Sequence, residues 1–268
     1  MPKKTFMVTV LNWRPEVLIF TLLLGISYAV ITGPLGKNLL QRESYVAPSR
    51  SEVSALSALL LVFAVATGTP IDILAQTSSF IFYIGQMLLM TMVMPWLLLL
   101  SIPTWLMESL LSVPRVRKLF IFMTNPWIAS LSYNAVATLS LLPRVLDLNL
   151  TTNWIHLIIQ TGIMLSAVFF WWPFVNRSKT IKRIDGLYEF FYILYSIVLM
   201  LPIIIILLIT RTTWYTVYPQ SGSTAMQIII AQQDGAKVML IGMLFVFGAL
   251  GLRILRHIDR AFWYNTPS

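Results

Sequence analysis

The feature that most limits how this chain can fold is a series of apolar stretches, each long enough to cross a membrane as a helix. A helical crossing needs about 20 mostly apolar residues. Seven such stretches follow one another along residues 1–268, which predicts a single integral membrane domain. They lie near 15–33, 53–69, 78–101, 125–143, 153–174, 187–210 and 235–255.

The composition favours helices in lipid over other folds. Hydrophobic residues make up 57% of the chain and charged residues 11%, compared with roughly 25% charged in an average soluble domain. A transmembrane β-barrel would show short segments that alternate polar and apolar residues, whereas 203–209 is apolar throughout. We therefore expect an all-α, polytopic transmembrane helix bundle. The chain has no cysteine, which excludes disulfides and thiolate metal sites.

The basic residues lie in short loops beside the apolar stretches, so the net charge of +9 indicates a membrane face and not nucleic acid binding. One side of the predicted bundle holds 13 of them: Lys37, Arg42, Arg50, Arg115, Arg117, Lys118, Arg177, Lys179, Lys182, Arg183, Arg253, Arg256 and Arg260. The other side holds 6: Lys3, Lys4, Arg14, Arg144, Arg211 and Lys237. The positive-inside rule then predicts an N-terminus outside and a C-terminus in the cytoplasm.

Polar side chains within the predicted spans mark the candidate site, because such groups are costly in lipid and usually face a bundle interior or a water-filled cavity. Residues three or four apart share one face of a helix, as do Tyr83 with Gln86 and His156 with Gln160. We therefore predict a polar cavity that opens to the outer side. Its candidate lining residues are Tyr83, Gln86, Asn134, His156, Gln160, Gln232, Gln233 and Asp234.

Metal binding and catalysis are weaker interpretations of the same residues. His156, Met87 and Met90 are weak candidates for copper ligands, since imidazole and thioether both suit that metal. One histidine and a few methionines give too few ligands for a closed site, so we expect no resident cofactor and keep copper as the alternative. The sequence has no glycine-rich nucleotide loop and no nucleophile motif, and we expect that the protein is not an enzyme.

Several short motifs follow one another along the chain. In chain order they are Gly68-Thr69-Pro70-Ile71-Asp72, Tyr83-Ile84-Gly85-Gln86-Met87, the run 95–103, Tyr133-Asn134, His156 with Gln160, Phe170-Trp171-Trp172-Pro173 and Gln232-Gln233-Asp234-Gly235. This order resembles the caa3-type cytochrome c oxidase assembly factors (CtaG-like) of Gram-positive bacteria. The resemblance covers roughly residues 13–255 and is most specific at the first and sixth of these motifs.

The resemblance implies a seven-helix membrane protein that helps a membrane-bound oxidase to mature. Where the family pattern has histidine, this chain has Tyr83, Asn134 and Gln160, and Ala231 replaces an aspartate. His156 remains, so the chain resembles a divergent member that lacks most of the family histidines. We expect a non-catalytic assembly factor that contacts membrane lipid and another integral membrane protein, such as oxidase subunits. The alternative is a small-molecule or metal transporter that uses the outward-opening cavity.

Overall fold

The structure is a computed structural model that describes residues 14–39, 46–77, 79–178, 180–181, 184, 186–215, 217–218 and 224–264, the side chains at 37–39, 77 and 257–264 excepted. Within these residues the chain is helical and has no strand, which confirms the all-α prediction. The helices are α1 Pro15–Thr32, α2 Pro34–Leu39, α3 Arg50–Gly68, α4 Pro70–Thr77, α5 Phe80–Ser101, α6 Thr104–Leu111, α7 Pro114–Met123, α8 Pro126–Ser140, α9 Pro143–Thr151, α10 Asn153–Val175, α11 Gly186–Ile209 and α12 Ala225–Tyr264.

Six helices in the described part of the chain are long and apolar enough to cross a membrane, namely α1, α3, α5, α10, α11 and α12. They coincide with six of the seven predicted spans. The remaining predicted span, 125–143, is shorter in the structure, because α8 ends at Ser140 and Pro143 begins the next helix. Its 15 residues rise about 22 Å, so a full crossing by this segment stays a prediction.

Prolines and caps set many of the helix starts. Four helices have a proline in their first turn, namely Pro15, Pro114, Pro126 and Pro143. Proline costs no hydrogen bond there, because the first backbone N–H groups have no partner within the helix. Helix α3 begins with a capping box instead. The Ser49 hydroxyl accepts from the backbone N–H of Glu52, and the Glu52 carboxylate accepts from the backbone N–H of Ser49.

Helix α5 lies at the centre of the bundle. It contacts α3, α10 and α12, while α8 packs against α10 and α11, and α11 packs against α12. Helices α5, α10, α8, α11 and α12 therefore close into a ring, with α3 outside α5. Helix α1 packs against α3 and α2, and the described residues bury only 6% of it.

Two glycines let α12 approach α5 closely. A Cβ added at Gly235 would lie 2.4 Å from Cδ1 of Phe80, and one at Gly242 would lie 2.8 Å from Cδ1 of Leu88. Both glycines lie on the face that meets α5, seven residues apart and therefore two turns apart. Their missing side chains are thus a condition of the packing that closes the ring.

A π-helical turn at Leu89–Val93 interrupts α5, and Pro95 explains it. Proline has no N–H, so the carbonyl four residues earlier, on Thr91, loses its bond within the helix. The indole Nε1–H of Trp171 on α10 donates to that carbonyl at 2.6 Å. Neighbouring helices commonly satisfy a backbone group that a proline frees within a membrane-spanning helix, and α10 does so here.

The ends of the bundle are also joined by side chains. Arg177, just after α10, forms an ion pair with Glu52 at the start of α3, with 3.2 Å between Nη1 and Oε1.

The orientation of the bundle in a membrane stays a prediction. Of the basic residues on which it depends, several lie outside the described residues: Lys3, Lys4, Arg42, Lys179, Lys182 and Arg183.

Candidate functional site

A buried carboxylate is the centre of the polar site. Asp72, in α4, is 2% exposed and accepts bonds from three side chains at one end of the bundle. Arg14 approaches it at 2.7 Å, Gln86 of α5 donates at 2.8 Å, and Gln76 donates from one turn further along α4 at 3.0 Å. Gln86 also donates to the carbonyl of Ala66 in α3 at 2.9 Å. These bonds hold the ends of α1, α3, α4 and α5 together.

The motif that contains Asp72 makes this placement possible. Helix α3 ends at Gly68 and α4 begins at Pro70, so the chain turns sharply between them. The Thr69 hydroxyl donates to the carbonyl of Val65 and accepts from the backbone N–H of Ile71. The turn brings the first turn of α4 back against α5.

His156 lies near this carboxylate. Its imidazole is within electrostatic range of Asp72 and Arg14 and lies beside the backbone of Asn149. Asn149 donates from Nδ2 to the hydroxyl of Tyr83 at 3.2 Å. Nδ1 of His156 and Oδ1 of Asn149 are buried without a hydrogen-bond partner among the described residues. Buried polar atoms are nearly always paired, so these two are candidates for binding a further group.

The polar residues at the start of α12 hold the linker after α11. Gln232 accepts from the backbone N–H of Trp214 at 2.7 Å and donates to the carbonyl of Thr212 at 3.1 Å. Gln233 donates to the carbonyl of Thr210. Asp234 forms an ion pair with Lys237 and is partly exposed. Gln232 and Gln233 therefore have structural partners.

Two tyrosines of that linker reach across the same end of the bundle. Tyr215 donates to the carbonyl of Leu141, and Tyr218 donates to the carbonyl of Ala75, both at 2.9 Å. The ring of Tyr215 stacks on Phe80 with 4.7 Å between centroids. Burial raises the pKa of Tyr215 and of Tyr218 well above the usual range, so both hydroxyls stay protonated and act as donors.

The other predicted residues have different surroundings. Asn134 donates to the carbonyl of Ser130 and lines an interior cavity that Met87 also lines. Gln160 is half-buried and has no hydrogen-bond partner among the described residues. Met90 and a second methionine of α5 pack against Leu59 of α3. His156, Met87 and Met90, the candidate metal ligands, therefore do not share one environment.

The structure thus distributes the eight predicted residues over several settings. Gln86 and His156 lie around Asp72, with Tyr83 joined to them through Asn149, whereas Asn134 belongs to the interior cavity and Gln232 and Gln233 support a linker. A role of these residues in function stays a prediction. Sequence reasoning left five residues out of the site although the structure places them there: Arg14, Asp72, Asn149, Tyr215 and Tyr218. An acidic residue directly after an apolar span could have indicated Asp72.

Fold and site together define a class, the multi-pass helical membrane proteins in which buried polar groups fasten helices to one another. Within that class the chain matches the family model described as cytochrome c oxidase caa3 assembly factor over residues 26–260. The match covers most of the chain, and the protein belongs to this family. No curated protein and no solved structure matches it in the corresponding comparisons.

The motifs that carried the resemblance make contacts between helices. Asp72 and Gln86 join α4, α5 and α1, Trp171 joins α10 to α5, and Gly235 lets α12 meet α5. His156 and Trp172 differ from these residues, because Nδ1 of His156 and Nε1 of Trp172 are buried without a hydrogen-bond partner among the described residues.

Proposed function

We propose that this protein is a non-catalytic membrane assembly factor that helps a membrane-bound oxidase, or a similar membrane complex, to mature in the plasma membrane of a bacterium. The observation that carries the proposal is the match to the oxidase assembly family over residues 26–260. The site supports it, since its polar groups bond helices to one another.

The proposed mechanism is transient binding of an integral membrane partner, such as an oxidase subunit, within the bilayer. Two features of the fold support it. Most residues of α1 are not buried by the described chain, and His156 and Asn149 have buried polar atoms without partners in the described chain. A partner helix or a lipid headgroup could satisfy those atoms at the Asp72 end.

Affinity purification of the tagged full-length chain from membranes in which the oxidase is being made tests this mechanism. Brief cross-linking in the cell precedes detergent extraction, and antibodies to the cytochrome c oxidase subunits detect the product. We expect at least one oxidase subunit to be enriched over an untagged control, and the enrichment to fall in His156→Ala but not in Gln160→Ala. An abundant, intact chain that captures no oxidase subunit would contradict the proposal.

A further inference from the structure

Five of the 13 methionines converge on one cavity inside the helix ring. They come from three helices and are all buried: Met87 and Met92 from α5, Met200 from α11, Met239 and Met243 from α12. Met239 and Met243 are one turn apart and so share a face of α12. The prediction of too few metal ligands considered His156, Met87 and Met90, and of these only Met87 belongs to this cluster.

The cavity suits one small ion better than a water molecule. Its volume is about 10 Å³, which is room for about one water-sized group. A buried water needs two to four polar partners. Three polar side chains line the cavity, Thr91, Tyr133 and Asn134. The Thr91 hydroxyl donates to the carbonyl of Met87, the Asn134 amide donates to the carbonyl of Ser130, and the Tyr133 hydroxyl lies beside Thr91, so all three already have partners. The remaining wall is mostly thioether and hydrocarbon.

We propose that the five methionines form a binding site for one soft monovalent metal ion, Cu(I). Thioether sulfur is a soft, neutral ligand and favours Cu(I) over hard cations. Hard or borderline cations find no alternative nearby, since the described residues contain no group of three His, Cys, Asp or Glu side chains that could hold a metal. With neutral ligands the site releases its ion more readily than a thiolate site would.

The helix geometry beside the cavity is a second observation. Thr91 and Met92 line the cavity and also belong to the π-helical turn Leu89–Val93. Such turns are rare and occur frequently at functional sites. Here the bond from Trp171 to the carbonyl of Thr91 keeps the turn in place next to the methionines. The turn that accompanies Pro95 thus places Thr91 and Met92 in the wall of the cavity.

Methionine also fills irregular gaps in ordinary cores, and a matched pair of variants separates the two explanations. Met239→Leu with Met243→Leu removes two thioethers from the cavity while conserving volume, a change that cores usually tolerate. Met90→Leu with Met94→Leu is the control, because those residues are equally spaced and buried but pack against Leu59. Thermal unfolding of both double variants verifies the fold, and the single variant Met243→Leu replaces the first pair if it does not fold.

Anaerobic titration of the purified full-length chain with Cu(I), in competition with a chromophoric Cu(I) chelator, measures binding without any oxidase present. The result is therefore independent of the proposed function. We expect one Cu(I) per chain, X-ray absorption showing sulfur ligands, and an affinity lowered by about tenfold or more in the cavity variant but unchanged in the control. Absence of Cu(I) binding, or an equal affinity in both double variants, would overturn the proposal.

Discussion

The substitution Gly235→Ala tests the close contact between α12 and α5. The new methyl group would lie 2.4 Å from Cδ1 and 2.7 Å from Cε1 of Phe80, far inside contact distance. The Phe80 ring has little room to move, because it is buried and stacks on Tyr215 at 4.7 Å and on Tyr83 at 6.2 Å between centroids. Either α12 must shift away from α5 or the aromatic group must repack. Overpacking of this kind costs about 1–3 kcal/mol in the free energy of unfolding.

The assay is thermal and denaturant unfolding of the purified protein in detergent, with Gly248→Ala as the matched control on the same helix. A Cβ at Gly248 would meet no atom within 4 Å, so that variant should be neutral or slightly stabilised. We expect Gly235→Ala to unfold more easily by about 1–3 kcal/mol. If both alanine variants unfold like the wild type, the close approach of α12 to α5 is not required by the fold.

Three further predictions address other parts of the account. Trp171→Phe keeps a ring in place but leaves the carbonyl of Thr91 unpaired, and denaturant unfolding should show a loss of about 1–3 kcal/mol; wild-type stability would mean that the bond is unimportant. His156→Ala should abolish oxidase activity while the protein's abundance on immunoblots stays nearly unchanged, with Gln160→Ala as the control; a parallel fall of both quantities would make His156 structural. A reporter fused at Ser268 should report the cytoplasm, and an outside signal would reverse the predicted orientation.

The sequence predicts most of the fold because membrane-length apolar stretches leave a chain few alternatives. Six predicted spans coincide with long apolar helices. The boundaries were less predictable where polar residues belong to a helix. The start of α12 was expected at 235, but the helix begins at Ala225. Gln232 and Gln233 lie within it and donate to backbone carbonyls of the preceding linker. The polar run 232–234 was therefore wrongly placed before the start of the helix.

The candidate site was predictable only in part, since sequence spacing shows which residues share a helix face but not which faces meet. The pairing of Tyr83 with Gln86 along α5 suggested a common cavity, yet their partners lie on different helices, Asn149 and Asp72. The contribution of Arg14 requires that α1 and α4 meet at one end of the bundle. The five methionines of the interior cavity likewise come from three helices, and no local pattern connects them.

Oxidase maturation in cells that lack this protein is the most direct test of its proposed role. Membranes from deletion cells, with and without a plasmid that supplies the chain, are compared by cytochrome c oxidation and by reduced-minus-oxidised difference spectra. The account predicts that activity and the oxidase spectrum fall together in the deletion strain, while oxidase subunits are still synthesised, and that the wild-type chain restores both. Full activity and an unchanged spectrum in cells without the protein would contradict it.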